Sequence, residues 1–312
     1  MDGRDEFRDF LTSRRARITP DQAGLPAFGG SHRRVPGLRR EEVALLAGVS
    51  VEYYTRLERG NARGVSESVL DNLARALQLD DAERAHLFDL ARAASAASAG
   101  GLPARRSAKQ QVRPIVQRIL DGMEGIPAHV RNGRFESLAV NRMGRALLAP
   151  VYEGRQLPVS FARFVFLDPR AEEFYGDWER TANDMVAALR SEAGRNPYDK
   201  ALTDLIGELS TRSEFFRTRW AAHNVRFHNT GVKLFHHPVV GELRLAYESL
   251  ELTDGTGLAM SVYSAEPGTP SEEKMALLAS WAATVERERD QERDQARERE
   301  RDQDQADPRS AV

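Results

Sequence analysis

Residues Gly37–Gly60 read GLRREEVALLAGVSVEYYTRLERG, two short stretches of helical periodicity joined by Gly48-Val49-Ser50. No other segment restricts the fold so tightly. In the first stretch, Leu38 to Ala47, the residues Val43, Leu46 and Ala47 share one face; in the second, Val51–Arg59, Tyr54 and Leu57 do. Gly48 suits a left-handed helix stop, and Ser50 stands where the second helix needs an N-cap. Two amphipathic helices across a three-residue turn have helix-turn-helix spacing, which leaves the start of the second helix free to enter a major groove. Such a pair is common among helical proteins, so its surroundings must decide.

The surroundings read as further helices. Phe7, Phe10, Leu11 and Ile18 mark one apolar face ahead of the pair. Ser66 can cap a fourth helix carrying Val69, Leu73 and Leu77, and Gly60 ends the third. Asp80 with Glu83 forms the pattern of a capping box opening a fifth helix with Leu87, Leu90 and Ala94. Between Ser13 and Arg40 stand Arg14, Arg15, Arg17, Arg33, Arg34, Arg39 and Arg40 against the single acid Asp21. A basic stripe just ahead of the exposed helix is what phosphate binding asks for, although the whole chain carries a net charge of only −2.

Composition divides the chain into residues 1–94, a linker at 95–111 (SAASAGGLPARRSAKQQ), a second domain at 112–284 and a charged tail at 285–312. From Val285 to Asp307 ten acids and six arginines leave almost no apolar residue, so that stretch is either disordered or a solvated helix; disorder is the form expected here. The chain has no cysteine, which excludes disulfides and thiolate chemistry. The first thirty residues hold no apolar leader, and no run approaches the roughly 20 apolar residues of a membrane span. A cytoplasmic protein without membrane contact is expected. No serine-nucleophile elbow, phosphate loop or HExxH motif is present, and neither histidine pair, His223/His228 or His236/His237, has helical metal-site spacing. An enzyme, a metal and a cofactor are therefore not expected.

In the second domain, Ala128–Arg131 and Phe135–Asn141 flank Asn132-Gly133, a hairpin signal. A helix follows at Arg142–Leu148, helical patterns fill 171–222, and strands are predicted near Gly231–His236, Glu242–Leu252 and Gly257–Ala265. Two strands, helices and three strands suit an α+β arrangement, an antiparallel sheet covered by helices. Phe161, Phe164, Phe166, Trp178, Phe216, Trp220 and Tyr247 are candidates for lining an apolar ligand pocket, and each can equally be core packing.

Gly37–Gly60 together with SESVLDNLARALQLDDAERAHLFDLA (Ser66–Ala91) resembles the XRE-type, λ-repressor-like helix-turn-helix family. The likeness extends through RPIVQRILDGMEGIPAHVRNGRFESLAVNRMGRALL, FLDP, DWE, VAALR, LSTRSEFFRTRW, HHPVVGEL and YSAEPGTPSEEKMALL, which resemble the MmyB-like regulators. That resemblance implies a multidomain transcription regulator: an all-α five-helix DNA-binding domain followed by a PAS-like domain that accepts a fatty-acid-like molecule. Val140 stands where the family usually has Trp before the Asn of its second strand. Docked as its relatives dock, the chain would turn Ser50, Glu52, Tyr53, Thr55 and Arg56 towards double-stranded DNA. Arg56 could fork to guanine and Glu52 accept from a cytosine amino group. Arg39, Arg40 and Arg63 would serve phosphates. The motif admits a homodimer on a two-fold site. The rival reading is a DNA-anchored protein-interaction adaptor without a small-molecule ligand.

Overall fold

In a computed structural model, the described residues are 3–25, 36–98, 111–222, 230–253 and 256–306. The first five helices are α1 (Gly3–Arg17), α2 (Arg40–Ala47), α3 (Val51–Glu58), α4 (Glu67–Ala76) and α5 (Asp81–Ser98). Their starts and stops follow from single residues. Gly48 closes α2 at φ 66°, and the Ser50 hydroxyl accepts the Tyr53 amide to cap α3. Asp80 and Glu83 exchange amide bonds of 3.2 and 2.8 Å as a capping box at the head of α5. Phe7, Phe10, Leu11, Val43, Tyr54, Leu57, Leu73 and Leu87 meet in one core. Ala44, rather than Leu46, is the further buried residue of α2; Leu46 packs at the margin of that core. Gly60, at φ 86°, has no room for a side chain: an ideal Cβ would lie 2.6 Å from the Arg4 carbonyl oxygen, so the first turn of α1 rests on the end of α3.

Helix α5 continues to Ser98, past the expected boundary at Ala94 and into the stretch read as linker; residues 99–110 lie outside the described residues. The second region begins with α6 (Pro114–Gly122). A six-stranded antiparallel sheet follows, ordered β3-β2-β1-β6-β5-β4, from β1 (Ala128–Arg131), β2 (Glu136–Val140), β3 (Val159–Ser160), β4 (Thr230–His237), β5 (Gly241–Glu251) and β6 (Ala259–Ser264). Between β2 and β4 lie α7 (Arg142–Leu147), α8 (Ala149–Tyr152), α9 (Phe161–Leu167), α10 (Arg170–Phe174), α11 (Trp178–Arg195), α12 (Lys200–Arg212) and α13 (Glu214–Ala221). The β1–β2 connection is longer than the Asn-Gly pair suggests. Asn132 Oδ1 accepts the amides of Arg134 and Glu136, and Phe135, not Gly133, takes the left-handed conformation at φ 57°.

One face of the sheet packs with α7 to α13 into the main core; α6 covers the other, through Val116 and Leu120 on Ala128, Val130, Ala139 and Met260. Asn141 pins the two together. Its Oδ1 accepts from the amides of Ala128 and Gly144, and its Nδ2 donates to the carbonyls of Met123 and Ile126. Strand β4 pairs with β5 on one side. On its other side Tyr175 bridges to Phe235 and the Gly176 amide donates to the Leu234 carbonyl at 3.0 Å. A Cβ on Gly176 would sit 2.5 Å from the Leu234 side chain. Finally α14 (Pro270–Ala306) buries Met275, Leu278 and Ala282 in the main core, then continues through the charged stretch; over 285–306 the backbone is helical, not disordered as expected.

Candidate nucleic-acid interface and ligand domain

Capping fixes the angle at which α3 leaves the turn, and burial of Tyr54, Leu57 and Glu58 fixes its roll. Away from these residues Val51 and Glu52 are exposed and Thr55 and Arg56 half-buried, while Tyr53 packs at the margin of the helical core. The Arg56 guanidinium lies 4.6 Å from the centroid of the Tyr53 ring, and its Nε is buried without a hydrogen-bond partner. Stacking thus holds the side chain along the helix surface. Ser50 is exposed, but its hydroxyl is engaged in the cap. Arg39 and Arg63 are exposed on either side of the helix pair.

Arg40 is exposed as well but shared. Glu58, 3% exposed, accepts from Arg40 Nε, from Arg15 Nε at 2.5 Å and from the Tyr54 hydroxyl at 3.5 Å. Burial, with the Glu58 charge second, pushes the Tyr54 hydroxyl far up, so it stays a donor. These bonds correct the basic stripe. Arg15 belongs to Glu58, while Arg14 and Arg17 hold Glu83 at 3.1 and 2.8 Å. Arg39 and Arg40 pair with Glu41 and Glu58, Arg33 and Arg34 lie outside the described residues, and Arg14, Arg15 and Arg17 are held by distant acids. Sequence spacing could not separate them, because the acids that claim them are 43 to 69 residues away.

In the second domain, alternation sends His129, Arg131, Lys233, Tyr247, Ser249, Ser261 and Tyr263 to the inner sheet face. Arg131 donates to the Ser249 and Ser261 hydroxyls at 3.0 and 3.4 Å and lies over Phe135. Lys233 Nζ sits beneath the rings of Tyr175 and Tyr247, at 5.7 and 5.1 Å. His129 stacks on Phe161 at 4.8 Å. Burial first, and the Arg131 and Lys233 charges next, push the imidazole down to about 3, so it is neutral. Burial likewise pushes the Lys233 ammonium down to about 8, against the opposing pull of Asp184.

A cavity of about 190 Å³ opens between this face and α11. Phe135, Ala188, Leu258 and Ala259 supply its apolar wall, and Arg131 and Ser249 its polar one. A wider cleft of about 640 Å³ lies beside β3, lined by Arg155, Pro158, Phe164, Asp168 and Arg212 among others. There Arg170 and Arg155 hold the Asp168 carboxyl well below the usual range.

Of the pocket candidates read from sequence, Phe164 lines the cleft and none lines the cavity. Phe161 packs on His129, and Phe166 meets Phe216 edge-on at 5.0 Å. Phe216 stacks on Trp220; Trp178 donates from Nε1 to the Val165 carbonyl; Tyr247 flanks Lys233. The structure does not gather the seven in one pocket. The residues that line the cavity carried one signal, polar side chains alternating on strands otherwise apolar on that face. His237 has a structural place: its Nε2 is 2.9 Å from the Ala146 carbonyl, and its Nδ1 accepts the amides of Val239 and Val240. His223 and His228 lie outside the described residues. No described helix is long and apolar enough to cross a membrane.

Comparison with known families gives two matches. Residues 6–87 match a helix-turn-helix domain, and residues 112–278 match the MmyB-like transcription regulator ligand binding domain. No curated protein matches the chain. Neither matched family is enzymatic. The second match spans 167 of 312 residues, more than half the chain, and the α+β domain folded from it follows a helix-turn-helix core. The chain belongs to the MmyB-like transcription regulators, DNA-binding proteins of XRE type that carry a ligand-binding domain behind their helix-turn-helix.

Proposed function

We propose that residues 1–94 read a specific DNA site through α3, and that residues 112–284 bind a largely apolar, fatty-acid-like molecule which alters that binding. The observation that carries the first half is the outer side of α3: Glu52, Thr55 and Arg56 lie outside the core, beside Tyr53 at its margin, between exposed Arg39 and Arg63. Glu52, Thr55 and Arg56 carry base contacts, with Tyr53 as the platform for Arg56; Arg39, Arg40 and Arg63 meet phosphates. Ser50 contributes by holding the helix start. A two-fold site would be met by a homodimer.

The second half rests on the family and on the cavity beside α11, where Phe135, Ala188, Leu258 and Ala259 share the wall with Arg131, Glu192, Arg195, Ser249 and Glu251. At about 190 Å³ it is smaller than the roughly 300–1,000 Å³ of ordinary ligand pockets. A chain-like ligand therefore enters by displacing packed aromatics, beginning with Phe135 in the cavity wall. This is how the sequence candidates Phe161, Phe164, Phe166, Trp178, Phe216 and Trp220 would take part: as the core that yields.

The test is site selection with the full protein, followed by calorimetry with fatty acids of increasing chain length. Arg56→Ala changes the preferred base at one position at a cost of about 1–3 kcal/mol if the contact is bidentate. Removing Arg39 and Arg63 weakens all sequences alike and flattens the salt dependence. Uniform weakening by Arg56→Ala would move that residue to the backbone. Absence of heat across the fatty-acid series would end the lipid reading in favour of the protein-interaction adaptor.

A further inference from the structure

Helix α11 has two faces with different tasks. Ala188, Ser191, Glu192 and Arg195 line the cavity, whereas Arg190 and Gly194 meet the DNA-binding domain. Arg190 is 1% exposed, the largest fully buried side chain described. Its guanidinium donates to Glu6 Oε2 on α1 at 2.8 Å and to the Trp220 carbonyl on α13, and lies 4.1 Å from the centre of the Trp220 ring. One turn on, a Cβ at Gly194 would fall 2.7 Å from the His86 ring of α5, so only glycine allows this approach. Arg195 stands 3.8 Å from Asp89 of the same helix.

We propose that Arg190 is a coupling residue, through which the packing of the ligand domain sets the position of the recognition helix. On one side Arg190 touches Trp220, which stacks on Phe216, which meets Phe166 in the main core. On the other it grips the first turn of α1, the turn whose Arg4 carbonyl abuts Gly60 at the end of α3. Farther along α1, Arg15 holds Glu58 of α3. A rigid helix gripped at its start and tied to α3 at both places passes displacement rather than absorbing it. Burying a guanidinium is costly, and burial pushes Arg190 down to about 10 although Glu6 opposes the shift. The pair is therefore sensitive to any change that lets water reach it. That a small molecule drives the device rests on the reading above; the coupling itself does not.

The experiment uses the full chain and a mixed-sequence DNA duplex at low salt, with hydrogen exchange as the readout. Coupled sites must respond to each other's ligands reciprocally. Duplex binding should slow exchange in α11 and α13, far from any phosphate, by roughly fivefold or more. Glu6→Gln should abolish this distant response while α2 and α3 remain protected. Arg190→Lys keeps a charge but loses the fork that serves Glu6 and the Trp220 carbonyl together, and should match Glu6→Gln; the double variant should add nothing further. If Arg190→Lys fails to fold, Glu6→Gln still decides, because its side chain lies on the other partner. A wild-type chain whose α11 and α13 ignore DNA, or a distant response that survives in Glu6→Gln, would overturn the coupling. A normal distant response with no heat from any fatty acid would leave the coupling standing and remove only the lipid reading.

Discussion

Glu58 is the residue on which the helix pair depends most. Its buried carboxylate satisfies Arg15, Arg40 and Tyr54 at once, tying α1, α2 and α3 at one point. Glu58→Gln leaves Arg15, 15% exposed at its side chain, without a charge partner, and should cost about 1.5–3 kcal/mol, the range for hydrogen bonds to charged groups. Calorimetry of the full chain would show this as a fall in the melting temperature of the helix-turn-helix domain. A second effect goes the other way. Arg40 stays charged but loses the carboxylate that offsets it, so, if it meets phosphate as proposed, the salt dependence of duplex binding should steepen in the same variant. A stability loss with an unchanged salt slope would mean that Arg40 does not reach phosphate. One side chain thus separates the scaffold from the interface.

At the scale of elements, α3 can be tested through its cap. Ser50→Ala removes the acceptor of the Tyr53 amide and should cost about 1 kcal/mol, while Ser50→Asp keeps the cap. If DNA affinity falls with stability in the first and is held in the second, Ser50 acts on DNA by placement alone; a fall in the second without a stability loss would mean that position 50 itself lies against DNA. Elements of this kind were legible in the sequence because their causes are local. Gly48, Ser50, Gly60, Ser66 and the Asp80–Glu83 box each act within four residues, and the five helices follow from them. The long strands β4, β5 and β6 were legible for the same reason. What was not legible depends on distant partners. Arg14 and Arg17 read as phosphate ligands until Glu83 is placed beside them, and Arg190 is one arginine among many until Glu6 and Trp220 meet it. Helix α9 hid in the apolar run FARFVFL, whose residues are buried nearly all round and show no single face. The cavity escaped because a pocket wall made of Ala188, Leu258 and Ala259 has the composition of any core.

The whole molecule carries a pH dependence set in its interior. His129 is depressed from 6.5 to about 3, so between these values the unfolded chain binds a proton that the native chain refuses. Its favourable share of stability is complete above pH 6.5 and is lost as pH falls, by up to about 1.4 kcal/mol per pH unit. Asp168, held low by Arg170 and Arg155, adds a loss of the same sign only below its ordinary value of 3.8. Glu6 and Asp89, raised by burial, act oppositely and soften the descent in the carboxylate range. Melting temperatures from pH 7 to 4 should therefore fall in the wild type, and His129→Phe, which keeps the ring on Phe161, should flatten the upper part of the curve. An unaltered slope would place the titrating group elsewhere. The plug on β4 has its own consequence at this scale. An unpaired sheet margin is a template on which a second chain can add a strand, and chains so joined can continue into filaments. Tyr175 and Gly176 occupy that margin from within, and only a residue lacking Cβ passes beneath Leu234. A single methyl group there would press on the Leu234 side chain and loosen the segment that covers this edge, so the closure of the sheet margin leans on the smallest side chain the protein has.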